Sequence, residues 1–301
     1  MTTSNFLEPS KKKLWLAAIK PPMYSVAIIP ILIGTAIAYQ ETGKFNPAIF
    51  WTFILSAIAI LAWENLSNDV FDSETGIDKN KAHSVVNLTG NKTLVFWISI
   101  LFLVSGISGI LAIGYWQGDG IVLGLVSLCC ALGYTYQGPP FRLGYRGLGE
   151  IICFLTFGPM AIEAAYYSQA GTFSLPSLAA SVLIGITTSI ILFCSHFHQV
   201  EDDIAAGKKS PIVRLGTALG SRVLARVTFL VYLLVAIGIP AGIYPMATAL
   251  IFLSFPFAWQ LVRHVGRNHD RPDLVSNCKF LAVNLHFFSG IFLVAGYLLS
   301  A

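Results

Sequence analysis

Charge is what this chain lacks most. Only 11% of its 301 residues are Asp, Glu, Lys or Arg, against about 25% in soluble domains, so an ordinary soluble fold is excluded. Cysteine is scarce and unpatterned. The five (Cys129, Cys130, Cys153, Cys194, Cys278) include no C-x-x-C pair and sit in or near apolar runs. They read as small buried hydrophobes, with no disulfide framework and no cysteine-ligated zinc. The opening "MTTSNFLEPSKKKLWLAAIK" lacks the basic head, apolar core and small-residue exit of a cleavable signal. A soluble basic face is missing too, which excludes nucleic acid as a partner.

Long apolar runs are what the chain has. They last roughly 18 to 24 residues, the length a helix needs to cross about 30 Å of hydrocarbon. Nine spans fit, near 22–39, 47–66, 93–116, 119–136, 148–167, 177–198, 222–240, 243–262 and 279–299. The expected fold class is therefore all-α, a multi-pass bundle of about nine transmembrane helices in contact with membrane lipid. Residues 1–21 form a leader, and 22–301 form one domain.

The breaks "QETGKFN", "QGD", "SQAGTFS" and "AGIYP" are tight turns on one side of this bundle. The leader and the loops 67–92, 137–147, 199–221 and 263–278 lie on the other. Of the 19 lysines and arginines only Lys44 falls on the first side, leaving 18 on the second. Such a bias marks the cytoplasmic side, so the N-terminus is expected in the cytoplasm.

Acids gather where two spans reach that side. In "ENLSNDVFDSETGIDKNK" (64–81), Asn65, Asn68, Asp69 and Asp72 share one face if the helix continues past the apolar run. Glu74 and Asp78 follow. Crowded carboxylates repel one another, and oxygen ligands without His or Cys suit Mg²⁺, which takes one or two carboxylates plus substrate phosphates. The second cluster, "HFHQVEDDIAAGKKSPIVRLG" (196–216), offers His198, Glu201, Asp202 and Asp203, then Lys208, Lys209 and Arg214 beyond Gly207. Acids for a metal beside bases for phosphate oxygens suit a metal–diphosphate. Either loop taken alone also reads as a solvated cytoplasmic loop; the pair on one face favours a site. A third loop, "YTYQGPPFRLGYRGLGE" (134–150), sets Tyr134, Tyr136, Phe141 and Tyr145 around Arg142 and Arg146. Its aromatics read equally as a shield for a carbocation or as an interface belt. Lys20, before "PP", is a phosphate contact or an orientation charge.

These stretches resemble a known family. "NLSNDVFDSETGID" is similar to the N-x-x-N-D-x-x-D-x-x-x-G-x-D motif of the UbiA superfamily of intramembrane aromatic prenyltransferases. "GPPFRLGYRGLGE" resembles its loop between spans 4 and 5, "AGKKSPIVRLG" the end of its second aspartate motif, and "IKPPMYSVAIIPILIGTA" its first span, with Lys20 where arginine is common. The resemblance implies a central cavity capped by cytoplasmic loops, with Mg²⁺ and an isoprenoid diphosphate held on the two acidic motifs. It implies metal ligation by Asp69, Asp72, Asp78, Glu201, Asp202 and Asp203. Diphosphate contacts fall to Asn65, Asn68, Lys20, Arg142 and Lys208, and catalysis to Asp72, Asp203, Lys208 and Arg146. One departure stands out: Gln199 occupies the place of the second motif's first acid, eight residues before Gly207, with Glu201 or Asp202 expected to compensate.

Within the superfamily the second motif looks most like that of the phylloquinone-pathway members of cyanobacteria and plastids. This implies transfer of phytyl from its diphosphate to 1,4-dihydroxy-2-naphthoate or its quinone form, with loss of the carboxylate, in a cyanobacterial inner or thylakoid membrane. A polyprenyl donor is the alternative inside the family. A cation-coupled transporter is the alternative outside it, and it would favour mid-span acids; Glu163 is the one acid so placed.

Overall fold

The computed structural model describes residues 11–77, 81 and 84–301. Every regular element among them is helical. Helix α1 (Lys11–Ile19) leads through Lys20 and a 3-10 turn, Pro21–Tyr24, into α2 (Ser25–Thr42). Next come α3 (Pro47–Thr75), the short α4 (Val85–Thr89), α5 (Lys92–Gln117) and α6 (Ile121–Gln137). Helices α7 (Gly149–Leu155) and α8 (Ala161–Ala170) make one span, joined by a π-turn, Thr156–Met160, that accommodates Pro159. Helix α9 (Leu175–Ser195) precedes two short helices, α10 (Val200–Ala205) and α11 (Pro211–Leu215). The chain ends with α12 (Thr217–Gly238), α13 (Phe255–Asn268) continuing a 3-10 segment Met246–Ser254, α14 (Pro272–Val275) and α15 (Cys278–Leu298).

Eight helical stretches among the described residues are long and apolar enough to cross a membrane, and Ile121–Gln137 is a shorter apolar helix of 17 residues. Large apolar side chains such as Trp51, Leu101, Tyr115 and Met246 stay exposed around the bundle, as a lipid-facing surface requires. The chain is a multi-pass membrane protein.

Local chemistry sets the ends. Asn46 Oδ1 accepts from the amides of Ala48 at 3.0 Å and Ile49 at 3.2 Å, and Pro47 opens α3. Gly76, at φ 76°, closes it with its amide on the Asp72 carbonyl. The helix thus outruns the expected span, 47–66, by more than two turns. Likewise α13 runs to Asn268, into the expected loop 263–278.

Close crossings use small residues, since lipid provides no hydrophobic drive between helices. A methyl at Gly34 of α2 would lie 2.6 Å from the Ile162 carbonyl of α8. One at Gly290 of α15 would meet Ile29, and one at Gly185 of α9 would meet Phe154. Gln137 at the end of α6 meets Asp72 near the end of α3, and His196 at the end of α9 meets Glu150 at the start of α7.

Candidate functional site

The last turns of α3 carry the first acidic face. Asn65, Asn68, Asp69 and Asp72 all lie within continuous helix, which fulfils the condition for their sharing a face. Asp69 is buried. Lys81 Nζ lies 3.3 Å and Lys20 Nζ 3.9 Å from its Oδ1, and the Val85 amide donates to Oδ2 at 2.8 Å. Asp69 therefore gathers the junction before the Pro21–Tyr24 turn, the segment after α3 and the start of α4. Lys20 and Arg142 are the non-glycine residues in left-handed backbone among those described, at φ 51° and 44°. That conformation costs about 1–3 kcal/mol and persists where the surroundings enforce it.

Asp72 faces α6 and the third loop. Gln137 Nε2 donates to its Oδ1 at 2.5 Å, and the Tyr145 hydroxyl does so at 3.3 Å. The same hydroxyl lies 2.6 Å from Thr75 Oγ1. Tyr136 is packed between Gly144 and Gly149, where a Cβ would press on its ring, and lies within electrostatic reach of Glu150, Asp72 and Asp203.

The second cluster folds onto that loop. The Lys209 amide donates to the Tyr145 carbonyl at 2.8 Å, and Arg214 donates to the carbonyls of Lys209 and Arg146. This stitching sets Lys208 Nζ 5.7 Å from the Tyr145 ring centre and 3.6 Å from Asp203 Oδ1. His196 bridges two carboxylates, with Nδ1 3.0 Å from Asp203 Oδ2 and Nε2 3.4 Å from Glu150 Oε1. One polar chain thus runs Gln137, Asp72, Tyr145, Lys208, Asp203, His196, Glu150, joining both acidic motifs.

Charge follows from that geometry. Burial opposes ionisation of Asp203, but the His196 hydrogen bond and the Lys208 ammonium outweigh it and hold its pKa below the ordinary 3.8. Burial likewise works against a charged His196, yet its bonds to Asp203 and Glu150 raise it above 6.5. His198 goes the other way, pushed down by burial and by Lys279. Burial and the Asp72 charge push Tyr145 up, so it stays a neutral donor.

These shifts set a pH window for the His196–Asp203 pair. The contribution of His196 is full below pH 6.5 and is lost as pH rises through its raised folded value. That of Asp203 is present above pH 3.8 and is lost as pH falls through its lowered one. His196→Gln should therefore lower Tm by about 2–4 °C per kcal/mol removed. The gap to the parent should be widest near pH 5 to 6 and should narrow by pH 9. Thermal unfolding at three pH values checks this, and a gap independent of pH contradicts it.

Other expected residues are placed differently. Glu201 and Asp202 stand exposed on the first turn of α10, and Asp203 alone turns inward. Glu201 and Asp202 thus do not turn inward beside Asp203, because one turn of helix cannot aim three consecutive acids at one point. Arg142 Nη2 pairs with Glu74 at 3.3 Å, and Arg146 is exposed and joins the loop through its carbonyl. Asp78 lies outside the described residues. Lys81, Gln137, His196 and Glu150 were not anticipated; the signals were a histidine two residues before His198 and the glutamate closing "GLGE".

Among the described residues no three of His, Cys, Asp and Glu converge enough to ligate an ion unaided. The donors nonetheless fit a hard cation completed by substrate phosphates. Asp203 is fully buried with Oδ1 lacking a hydrogen bond, and Glu150 Oε2 has no partner. A groove of about 380 Å³ begins at Pro21, beside Lys20, and passes between α2 and α15 along Ile28, Ile29 and Phe287.

The pattern of the UbiA prenyltransferase family matches residues 27–289. This chain belongs to that family. The 2-carboxy-1,4-naphthoquinone phytyltransferase of Synechocystis sp. is 62% identical over 99% of this chain and 98% of its own length. The chloroplastic 2-carboxy-1,4-naphthoquinone phytyltransferase of Arabidopsis thaliana is 42% identical over 97% of this chain and 78% of its own. Among solved structures, a UbiA homologue from Archaeoglobus fulgidus bound to DMAPP and Mg²⁺ superposes with TM-score 0.57 at 13% identity, covering 93% of this chain and 98% of that one. The common UbiA fold is thus present, and the chain is a prenyltransferase enzyme.

Proposed function

We propose that this prenyltransferase moves a phytyl group from phytyl diphosphate onto 1,4-dihydroxy-2-naphthoate, the hydroquinone form of 2-carboxy-1,4-naphthoquinone, with loss of CO2, as a step of phylloquinone biosynthesis. The observation that carries the reading is the 62% identity over nearly the whole chain to a 2-carboxy-1,4-naphthoquinone phytyltransferase. The cofactor is Mg²⁺, which Asp72 and Asp203 would hold, with Asn68 as a further oxygen donor. When bound, it neutralises the diphosphate.

The chain's own residues do the rest. Lys208 is oriented by Asp203 and Tyr145 and takes a departing phosphate oxygen, with Lys20 and Lys81 assisting from the other side. Tyr145, kept neutral, donates to Asp72 and fixes its carboxylate. The allylic carbon gains positive character as its C–O bond breaks, and the aromatic loop excludes water there. The groove beside Lys20 offers the phytyl chain an apolar path. Acids at one end with bases opposite them suit transfer better than transport, and Glu163 is tied to Ser177 Oγ at 2.5 Å. The site faces the cytoplasm, with the N-terminus on that side, in an inner or thylakoid membrane.

Purified protein in nanodiscs, given the naphthoate, Mg²⁺ and either phytyl or octaprenyl diphosphate, tests the reading by mass spectrometry. Phytylated, decarboxylated product that disappears with EDTA is expected, and preferred use of octaprenyl diphosphate would contradict the donor. In the same assay Glu201→Ala/Asp202→Ala should keep kcat/KM within about tenfold of the parent, since exposed acids contribute little. A loss comparable to that of Asp203→Asn would return them to the site.

A further inference from the structure

Glu64 takes part in none of the contacts above. It precedes Asn65 on α3, four residues before Asn68 and eight before Asp72, so it lies on the same side of the helix and about 12 Å deeper along its axis. Helix α6 fixes the position independently. The Glu64 carboxylate rests against Gly133, where any Cβ would collide with Oε1. Four residues on, Gln137 donates to Asp72. The α3–α6 face therefore carries Asp72 at its polar end and Glu64 two turns further in, where the apolar run ends.

What surrounds this carboxyl is inert. The titratable groups facing it are the thiols of Cys129 and Cys130 on α6 and of Cys153 on α7, weak donors at best. Among the described residues nothing pairs with it or donates a hydrogen bond to its oxygens, although the side chain is only half-buried. A carboxyl at the edge of the apolar run without a partner is costly, and such residues mark functional sites. Its partner is then a ligand group that arrives with the substrate.

We propose that this partner is the ring hydroxyl of the aromatic acceptor adjacent to its carboxylate-bearing carbon, and that Glu64 takes the hydroxyl proton as the ring attacks. The inference rests on the acceptor assigned above. With the diphosphate at the level of Asp72, the allylic carbon and the ring that meets it lie deeper, toward Glu64. The step balances without an oxidant or reductant. The allylic C–O bond breaks and its electron pair leaves with the diphosphate. A C–C bond forms from the carboxylate-bearing ring carbon, and the hydroxyl becomes a carbonyl as its proton passes to Glu64. The carboxylate then leaves as CO2, its bonding pair restores the aromatic ring, and the oxygen recovers the proton.

Steady-state kinetics of the full-length enzyme in nanodiscs, with Glu64→Gln and Glu64→Asp, tests this. Glutamine keeps the shape and cannot take a proton, so kcat should fall about 10²- to 10⁴-fold, with the KM for phytyl diphosphate within twofold of the parent. The acid limb of the pH–kcat profile should vanish. Aspartate should recover at least tenfold over glutamine. Glu64→Gln turning over within threefold of the parent, or an unchanged pH profile, overturns the proposal. Equal losses in both variants together with a raised donor KM would show a structural carboxyl and also overturn it. A parent enzyme that binds the donor but leaves the naphthoate untouched refutes the acceptor assignment, and the proposal falls with it.

Discussion

Asp72→Ala lowers kcat/KM by about 10³-fold or more while the protein still inserts and folds. Asp72 sits where α3, α6 and the aromatic loop meet, and its Oδ1 takes donors from Gln137 and Tyr145. On the proposed reading alanine removes an oxygen that would hold the metal, and it frees Tyr145, so both the charge on the leaving diphosphate and the shape of its enclosure suffer. The fold survives because the Gly76 amide caps α3 on the backbone carbonyl of residue 72, which alanine retains. The buried Gln137 amide loses its acceptor, at a stability cost of about 1–3 kcal/mol. Yield, Tm and turnover measured together check this, and activity within tenfold of the parent removes Asp72 from the site.

Lys208→Ala should cost about 10²- to 10³-fold in kcat and, unlike Asp72→Ala, a large loss of stability. Lys208 and Asp203 are both buried, and His196 completes their network. Truncating one partner strands the other, which costs about 3–5 kcal/mol. The two effects separate in the double variant Asp203→Asn/Lys208→Met, where no buried charge is left unpaired. Most of the lost Tm should return there and none of the turnover. A double variant as unstable as the single one would mean that the pair packs rather than pairs, and recovered turnover would exclude Lys208 from handling the diphosphate.

Legibility in the sequence followed the range of the interaction. The face formed by Asn65, Asn68, Asp69 and Asp72 depends only on helical period, and it was readable once the helix was extended. The extension itself was not, because hydropathy marks where lipid ends, whereas α3 keeps its backbone hydrogen bonds up to the glycine that ends them. In "VEDD" three acids occupy successive positions, and only the docking of α10 selects Asp203 to turn inward. The links that complete the site span long stretches of chain: Gln137 to Asp72 over 65 residues, Tyr145 to Asp72 over 73, Glu150 to His196 through two helix ends. No local period encodes such contacts. Lys81 and Lys20 converge on Asp69 for the same reason, from opposite sides of the first two spans.

The central claim is that the two acidic motifs act as one metal–diphosphate site. Its most direct test is the affinity of a non-reactive phytyl diphosphate analogue for the protein in nanodiscs, with and without Mg²⁺, in the parent, Asp72→Asn, Asp203→Asn and the double variant. The account predicts that Mg²⁺ tightens binding to the parent at least tenfold, that either single variant abolishes the effect, and that the double variant loses no more. A Mg²⁺ effect absent from the parent, or losses that simply add, would contradict it.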